Sequence, residues 1–367
     1  MIRSRLTDWT TVVPLLAVLL LVFTWGRELP GALIFVVAAL LAAAVLAAVH
    51  HAEVVAHKVG EPYGSLVLAV AVTVIEVGLI VTLMISGGDK TQALARDTVF
   101  AAVMITCNGI LGLSLLLGAL RRRVAVFNPE GTGGALATVV TLATLSLVVP
   151  SFTTSRPGPE FSPAQLAFAA VASLALYLLF VMVQTGRHRD YFLPVTQEGS
   201  IMAEDTDGDG HAEPPSTRTA LASLALLVVA LVAVVGDAKT ISPALESAVQ
   251  GAGLPQAFVG VVIALLVLAP ETLAAARAAR RDRVQISLNL ALGSAMASIG
   301  LTIPAIAIAS IWLDGPLLLG LGGTQLTLLA LTALTAVLTV VPGRATVLQG
   351  GVHLALFAAF VFLAASP

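Results

Sequence analysis

The chain has 367 residues, of which 58% are hydrophobic and 11% charged, with a formal net charge of -2. Soluble domains carry roughly 25% charged residues, so this composition excludes an ordinary soluble domain and indicates an integral membrane protein. The scattered basic residues argue against a nucleic-acid surface, and a lone cysteine, Cys107, excludes an intrachain disulfide.

A spanning helix needs about 20 mostly apolar residues. Runs between charged or Gly/Pro punctuation predict eleven spans, near 10–26, 31–49, 63–86, 98–120, 133–152, 163–185, 218–236, 255–276, 284–312, 316–341 and 345–366. The first follows Arg3 and Arg5 as a signal peptide would, but Gly26-Arg27-Glu28-Leu29-Pro30 stands where an A-x-A cleavage site belongs, so it is expected to be an uncleaved, short span. The ninth is long, and Pro304 is expected to bend or tilt it.

Charge asymmetry sets the orientation. Of the 19 Lys and Arg residues, only Arg27, Lys90, Arg96, Arg156 and Lys239 fall on the side opposite the N-terminus. That bias predicts eleven spans with the N-terminus inside and the C-terminus outside, in the cytoplasmic (inner) membrane of a bacterium. The clusters Arg121–Arg123 and Arg277 to Arg283 read as orientation determinants that touch anionic lipid.

The longest hydrophilic stretch, with Glu198, Glu204, Asp205, Asp207, Asp209 and Glu213, divides the chain. The expected organisation is an N-terminal transmembrane helix (1–30), a first five-helix repeat (31–186), an acidic cytoplasmic linker (187–217) and a second five-helix repeat (218–367). Five is odd, so the halves enter the membrane from opposite sides. The fold class is therefore an all-α membrane protein with a 5+5 inverted-topology repeat, and its site belongs near the midplane between the halves.

Glu76 and Glu271 stand alone in apolar runs, each in the second helix of its half. A carboxylate at bilayer depth is costly when ionised and unpaired, which marks it as a functional site. At 1.5 Å per residue, they lie roughly 18–20 and 22–24 Å into their helices, within the central part of a core about 30 Å thick. Two opposed carboxylates suit a hard cation such as Ca²⁺, which takes six to eight oxygens. Pro270, directly before Glu271, removes a helical hydrogen bond and is expected to free carbonyls. Thr73 and Gly78 could loosen the turn at Glu76. Asn108, Asn289, Ser294 and Ser298 are candidate polar partners from the following spans, and Gly293 would permit close helix approach.

When the cation leaves, desolvation and mutual repulsion favour the neutral acids. Protons then replace the ion, and returning metal expels them. The functional ligands are thus inorganic cations and protons, handled within the lipid bilayer, with no cofactor and no enzyme chemistry. No H-E-x-x-H, phosphate loop or histidine base beside Ser294 supports an enzyme. A passive cation channel is the rival transporter class, but pores usually use rings from several subunits.

The segments Gly60-Glu61-Pro62-Tyr63-Gly64-Ser65 through Glu76, and Pro270-Glu271 through Asn289 to Gly293-Ser294, resemble the calcium/proton exchangers of the cation/Ca²⁺ exchanger superfamily. They look most like its bacterial ChaA-type branch, associated with calcium, sodium or potassium exchange for protons. The resemblance covers most of the chain from about residue 60. It implies a ten-helix inverted-repeat core plus an extra N-terminal helix, with ion-binding glutamates carried here by Glu76 and Glu271. Gly293 and Ser294 match the assisting positions well, and Asn108 more loosely. Where other branches have G-N-A-x-E, this chain has V-T-V-I-E and L-A-P-E. Without those asparagine oxygens, a monovalent Na⁺ or K⁺ becomes an alternative to Ca²⁺.

Three further features are weighed as ordinary structure. Asp205-Thr-Asp207-Gly-Asp209-Gly210 opens like an EF-hand loop, but Ser216 stands where a bidentate Glu should close it, so a solvated linker is expected. His50, His51, Glu53, His57 and Glu61 read as interfacial residues, with an antechamber for protons or metal as the sharper alternative. His353 in the last span reads as packing.

Overall fold

The computed structural model describes residues 8–27, 29–60, 63–196, 215–313 and 315–367. Along the chain run α1 (Trp9–Thr24), α2 (Gly31–Val59), α3 (Tyr63–Gly87), α4 (Leu94–Arg122), α5 (Pro129–Ser151), α6 (Pro163–Arg187), α7 (Thr217–Gly251), α8 (Phe258–Arg280), α9 (Val284–Ala309), α10 (Gly323–Val340) and α11 (Val347–Ala365). Among the described residues, ten helices are long and apolar enough to cross a membrane, and α1 is a shorter apolar helix. Exposed Phe35, Val171, Leu338 and Phe362 give the outer surface the apolar character that lipid requires. The EF-hand-like run and Glu61-Pro62 lie outside the described residues.

The halves α2–α6 and α7–α11 form the inverted repeat, and α1 packs outside it on α2 and α7. His51 of α2 ties that extra helix in, its Nε2 donating to the Thr10 carbonyl at 2.9 Å. In the centre, α3 packs on α9 and α8 packs on α4, the same contact made twice with the halves exchanged. Two apolar cores result. One is built mainly from α4–α6 and α8–α11, the other mainly from α1, α2, α3, α7 and α8. They meet along the two glutamate-bearing helices. Ile80 of α3 and Leu268 of α8 face the first core, whereas Ile75 and Val267 face the second.

Short backbone bridges fasten both faces. After α4, β1 (Ala125–Val126) pairs antiparallel with β2 (Arg344–Ala345), which follows α10. On the opposite face Glu160, before α6, bridges Leu318, before α10. Both pairings require the alternation of direction expected from eleven spans. Arg122 reinforces the first face by an ion pair to Asp282, with Nη2 and Oδ2 2.9 Å apart.

Several helix limits differ from the sequence expectation. α2 runs to Val59 and α7 to Gly251, because charged residues that punctuate an apolar run do not stop a helix once it leaves the hydrocarbon. α8 is continuous through Pro270. The break falls in α9, at Leu301. Pro304 explains its position: it cannot donate to the Gly300 carbonyl, and its ring clashes there. In the matching helix of the first half, α4 carries a π-helical turn at Ile105–Ile110. Each half therefore has an irregular third helix, and such turns concentrate at functional sites.

Candidate functional site

Glu76 and Glu271 each stand about 20 Å along their helices, reckoned from Tyr63 and Phe258 at 1.5 Å per residue. Both line one cavity of about 220 Å³, together with Thr73, Asn289, Gly293, Ser294 and Ser298. The cavity extends from Glu76 and Ser298 to Leu68, Gln184 and Ile286, near the helix ends on the face that carries the α6–α7 linker. The other wall residues, including Val72, Tyr177 and Phe180, are mostly apolar.

Glu76 is 2% exposed. Its Oε2 accepts a hydrogen bond of 3.0 Å from Ser298 Oγ, so a residue of the second half holds the acid of the first. Its Oε1 is buried with no hydrogen-bond partner among the described residues. Thr302, just past the break in α9, faces the same carboxylate without closing a hydrogen bond. Glu271 is less enclosed, but its Oε2 is likewise buried and unpartnered. Polar atoms buried this way are uncommon and expensive, and a carboxylate oxygen is an acceptor for a proton or a ligand for a cation.

Among the described residues, no group of three or more His, Cys, Asp or Glu side chains is placed to hold a metal. A cation held between the two carboxylates would need hydroxyls, carbonyls or water to complete its shell. Ser294, Ser298 and Thr302 recur every four residues, one face of α9. Thr302 was not singled out from the sequence, although that spacing was the available signal.

The remaining candidates divide. Asn289 lines the cavity, but its amide is occupied: Nδ2 donates to the Phe192 carbonyl at 2.6 Å, and Oδ1 accepts from Gln285 Nε2 at 2.8 Å. At Gly293 an added Cβ would meet nothing within 4 Å, so this glycine leaves cavity space and does not serve a close helix approach. Close approach occurs instead where α4 meets α11, because a Cβ on Gly350 would lie 2.7 Å from the backbone of Leu116. Pro270 precedes Glu271 without facing the cavity.

Asn108 is wholly buried on the π-helical turn of α4 and points away from the cavity. Its Nδ2 donates to Thr332 Oγ1 at 2.9 Å, and its Oδ1 accepts from His353 Nδ1 at 3.1 Å. His353 Nε2 lies 3.2 Å from Thr339 Oγ1. The histidine that reads as packing is thus the centre of a buried polar network joining α4, α10 and α11.

Glu53, with His50 and Arg277 nearby, lies within electrostatic reach of Glu271. Asp237 follows the span expected at 218–236, yet α7 continues through it and buries it completely, and among the described residues neither carboxylate oxygen has a hydrogen-bond partner.

The family model for the sodium/calcium exchanger protein matches residues 29–186 and 222–365. A protein of Sinorhizobium fredii described as an ionic transporter is 46% identical over 98% of this chain and 96% of its own length. The sodium-potassium/proton antiporter ChaA of Escherichia coli is 34% identical, covering 98% of this chain and 97% of the relative. Among solved structures, the H⁺/Ca²⁺ exchanger CAX superposes with a TM-score of 0.70 at 17% identity, covering 96% of this chain and 86% of that one. Two five-helix halves that meet over paired acids, and family similarity along both halves, lead to one conclusion: the chain belongs to the sodium/calcium exchanger family of cation antiporters.

Proposed function

We propose that the protein is a secondary antiporter that exchanges Ca²⁺ for protons, with Glu76 and Glu271 binding the cation and the protons by turns. The observation that carries this reading is a single cavity lined by both acids, each with a buried oxygen that has no hydrogen-bond partner among the described residues. An occupant must satisfy those oxygens, and only a proton or a cation does so without leaving net negative charge in a dry site. The hydroxyls of Ser298, Ser294 and Thr73 supplement the carboxylates, which suits a hard cation that prefers oxygen.

Alternation follows from cost. The empty, ionised site is too unfavourable to pass through the membrane interior, so the carrier reorients only when loaded with cation or protons. On the charge-based orientation, the N-terminus and the linker lie inside a bacterial inner membrane, the C-terminus lies outside, and the cavity faces the cytoplasm. The acidic linker (187–217) then separates repeats 31–186 and 218–367. Cation leaves the cell as protons enter down their gradient.

A second reading, exchange of Na⁺ or K⁺ for protons, is favoured by the antiporter ChaA, whose name specifies sodium and potassium and which is similar along nearly the whole chain. It uses the same two acids. Proteoliposomes with an imposed pH gradient separate the readings when Ca²⁺, Na⁺, K⁺ and Mg²⁺ are compared. Ca²⁺ movement coupled to opposite proton movement is expected. Coupled Na⁺ or K⁺ movement without Ca²⁺ would select the second reading, and cation flux without proton coupling would indicate a channel and overturn both.

A further inference from the structure

A second cavity, of about 250 Å³, lies on the face opposite the linker. It is lined by the start of α4 (Asp97, Phe100), the start of α8 (Val261), the start of α10 (Gln325, Leu328) and the end of α11 (Phe360). The glutamate cavity is lined by α3, the end of α6, Glu271 of α8 and α9 from Ile286 to Ser298. Exchanging the halves turns α3 into α8, α6 into α11 and α9 into α4. The second cavity therefore shares α4, α8 and α11 with the repeat image of the first, adds the start of α10, and lies on the opposite face.

It is closed at its base. Phe100 and Phe360 stack edge to face with ring centroids 5.6 Å apart. A Cβ on Gly260 of α8 would lie 2.9 Å from the backbone of Asp97 and Thr98, so α8 and α4 touch backbone to backbone beside the cavity, at the level of Asp97. One helical turn toward the mouth from Phe100 sits Asp97, a 7% exposed carboxylate. Arg96 Nε donates to its Oδ1 at 2.8 Å, and Gln325 Nε2 reaches the same oxygen from α10 at 3.4 Å. Arg96 Nη1 also donates to the Gly320 carbonyl at 3.2 Å, fixing the guanidinium to the segment before α10.

We infer that Asp97 is a cation relay at the far-face mouth, the first acid a cation meets on that side and the last it leaves, with the Arg96 guanidinium filling the cation's place while this face is shut. The inference rests on the antiport reading and extends it to the second entrance. Several features support it. A purely structural first-turn acid needs no cavity, whereas Asp97 opens onto one. Its partner is a cation held by a backbone carbonyl at a second point, so a small cation can displace it without unfolding the helix. The carboxylate stands near the start of α4, the helix that packs against the Glu271 helix.

The test measures, in right-side-out and everted vesicles, the cation concentration giving half-maximal proton-coupled exchange from each face. The proteins compared are wild type, Asp97→Asn, Asp97→Glu and Arg96→Gln. Asp97→Asn should raise the far-face value about tenfold, the lower range for charge steering into a cleft, and leave the linker-face value unchanged. Asp97→Glu should recover part of the loss. Arg96→Gln should lower the far-face value, because the competing guanidinium is gone. Equal shifts from both faces, or none, would overturn the relay. Should Asp97→Asn not accumulate as folded protein, Arg96→Gln alone decides: a lower far-face value supports the relay, and loss from both faces overturns it. Absence of proton-coupled exchange by the wild type would instead overturn the antiport reading.

Discussion

Ser298 of the second half donates its hydroxyl to Glu76 Oε2 of the first at 3.0 Å, one residue pair that ties the two repeats together inside the helix bundle. The bond is charge-assisted when Glu76 is ionised, and such bonds contribute about 1.5–3 kcal/mol. Ser298→Ala should therefore weaken cation binding by roughly tenfold to a hundredfold, at about 1.4 kcal/mol per factor of ten. Isothermal titration of the purified protein with Ca²⁺, Na⁺ and K⁺ measures this directly. An unchanged affinity would mean that Ser298 only packs.

Glu76→Gln and Glu271→Gln keep the shape of each side chain and remove its charge. Each should abolish proton-coupled exchange in proteoliposomes while the protein stays monodisperse with an unchanged helical circular-dichroism signal. Retained exchange by either variant would rule out alternate occupation of the pair.

Competition between protons and cation fixes a pH dependence. Binding requires ionised carboxylates, so affinity should fall as pH is lowered through the titration of the pair. Where both acids are protonated before the ion arrives, the dissociation constant should rise about a hundredfold per pH unit for two displaced protons and about tenfold for one. The slope thus counts the protons exchanged per cation.

Pro304 breaks α9 beside Thr302, and Pro304→Ala would restore the missing donor to the Gly300 carbonyl. We expect a straighter α9, a higher melting temperature and slower exchange. The direction is unusual, since a gain in stability accompanies a loss of activity. Faster or unchanged turnover in the more stable variant would show that the break has no part in transport.

The network at Asn108 gives the contrasting case. Asn108→Ala leaves His353 Nδ1 and Thr332 Oγ1 without their amide partner in a buried setting, a loss of about 1–3 kcal/mol for each unsatisfied group. The melting temperature should drop clearly while the affinity for cation stays close to that of the wild type. A large affinity loss at unchanged stability would return Asn108 to the ion site.

Which parts of this molecule the sequence discloses depends on the kind of signal. The spans follow from apolar runs, because a bilayer imposes length and composition directly. Glu76 and Glu271 stand out because an acid in such a run has few structural reasons to be there. Asn108 has the same appearance in sequence, yet its side chain turns toward His353, since helical position alone does not say which neighbour a face meets. Thr302 is modest in a run of isoleucine and alanine, and its four-residue spacing from Ser294 and Ser298 is the one sign of its place near Glu76. Asp237 shows a different limit: punctuation by charge marks where hydrocarbon is expected to end, and α7 runs on past it to Gly251. Proline was informative about breakage but ambiguous about location, with Pro270 accommodated in a continuous helix and Pro304 not.

The two-residue ladder between Ala125–Val126 and Arg344–Ala345, with the Glu160–Leu318 bridge on the other face, rivets the periphery of the molecule at top and bottom. A frame clamped at both rims resists splaying, which leaves an alternating opening to the side without such bridges, where α2 and α7 lean on the glutamate helices and α1 packs outside them. Covalently locking the rivet, for instance through cysteines introduced at 125 and 345, should be tolerated by a working carrier much as welding a chassis leaves a door free to swing.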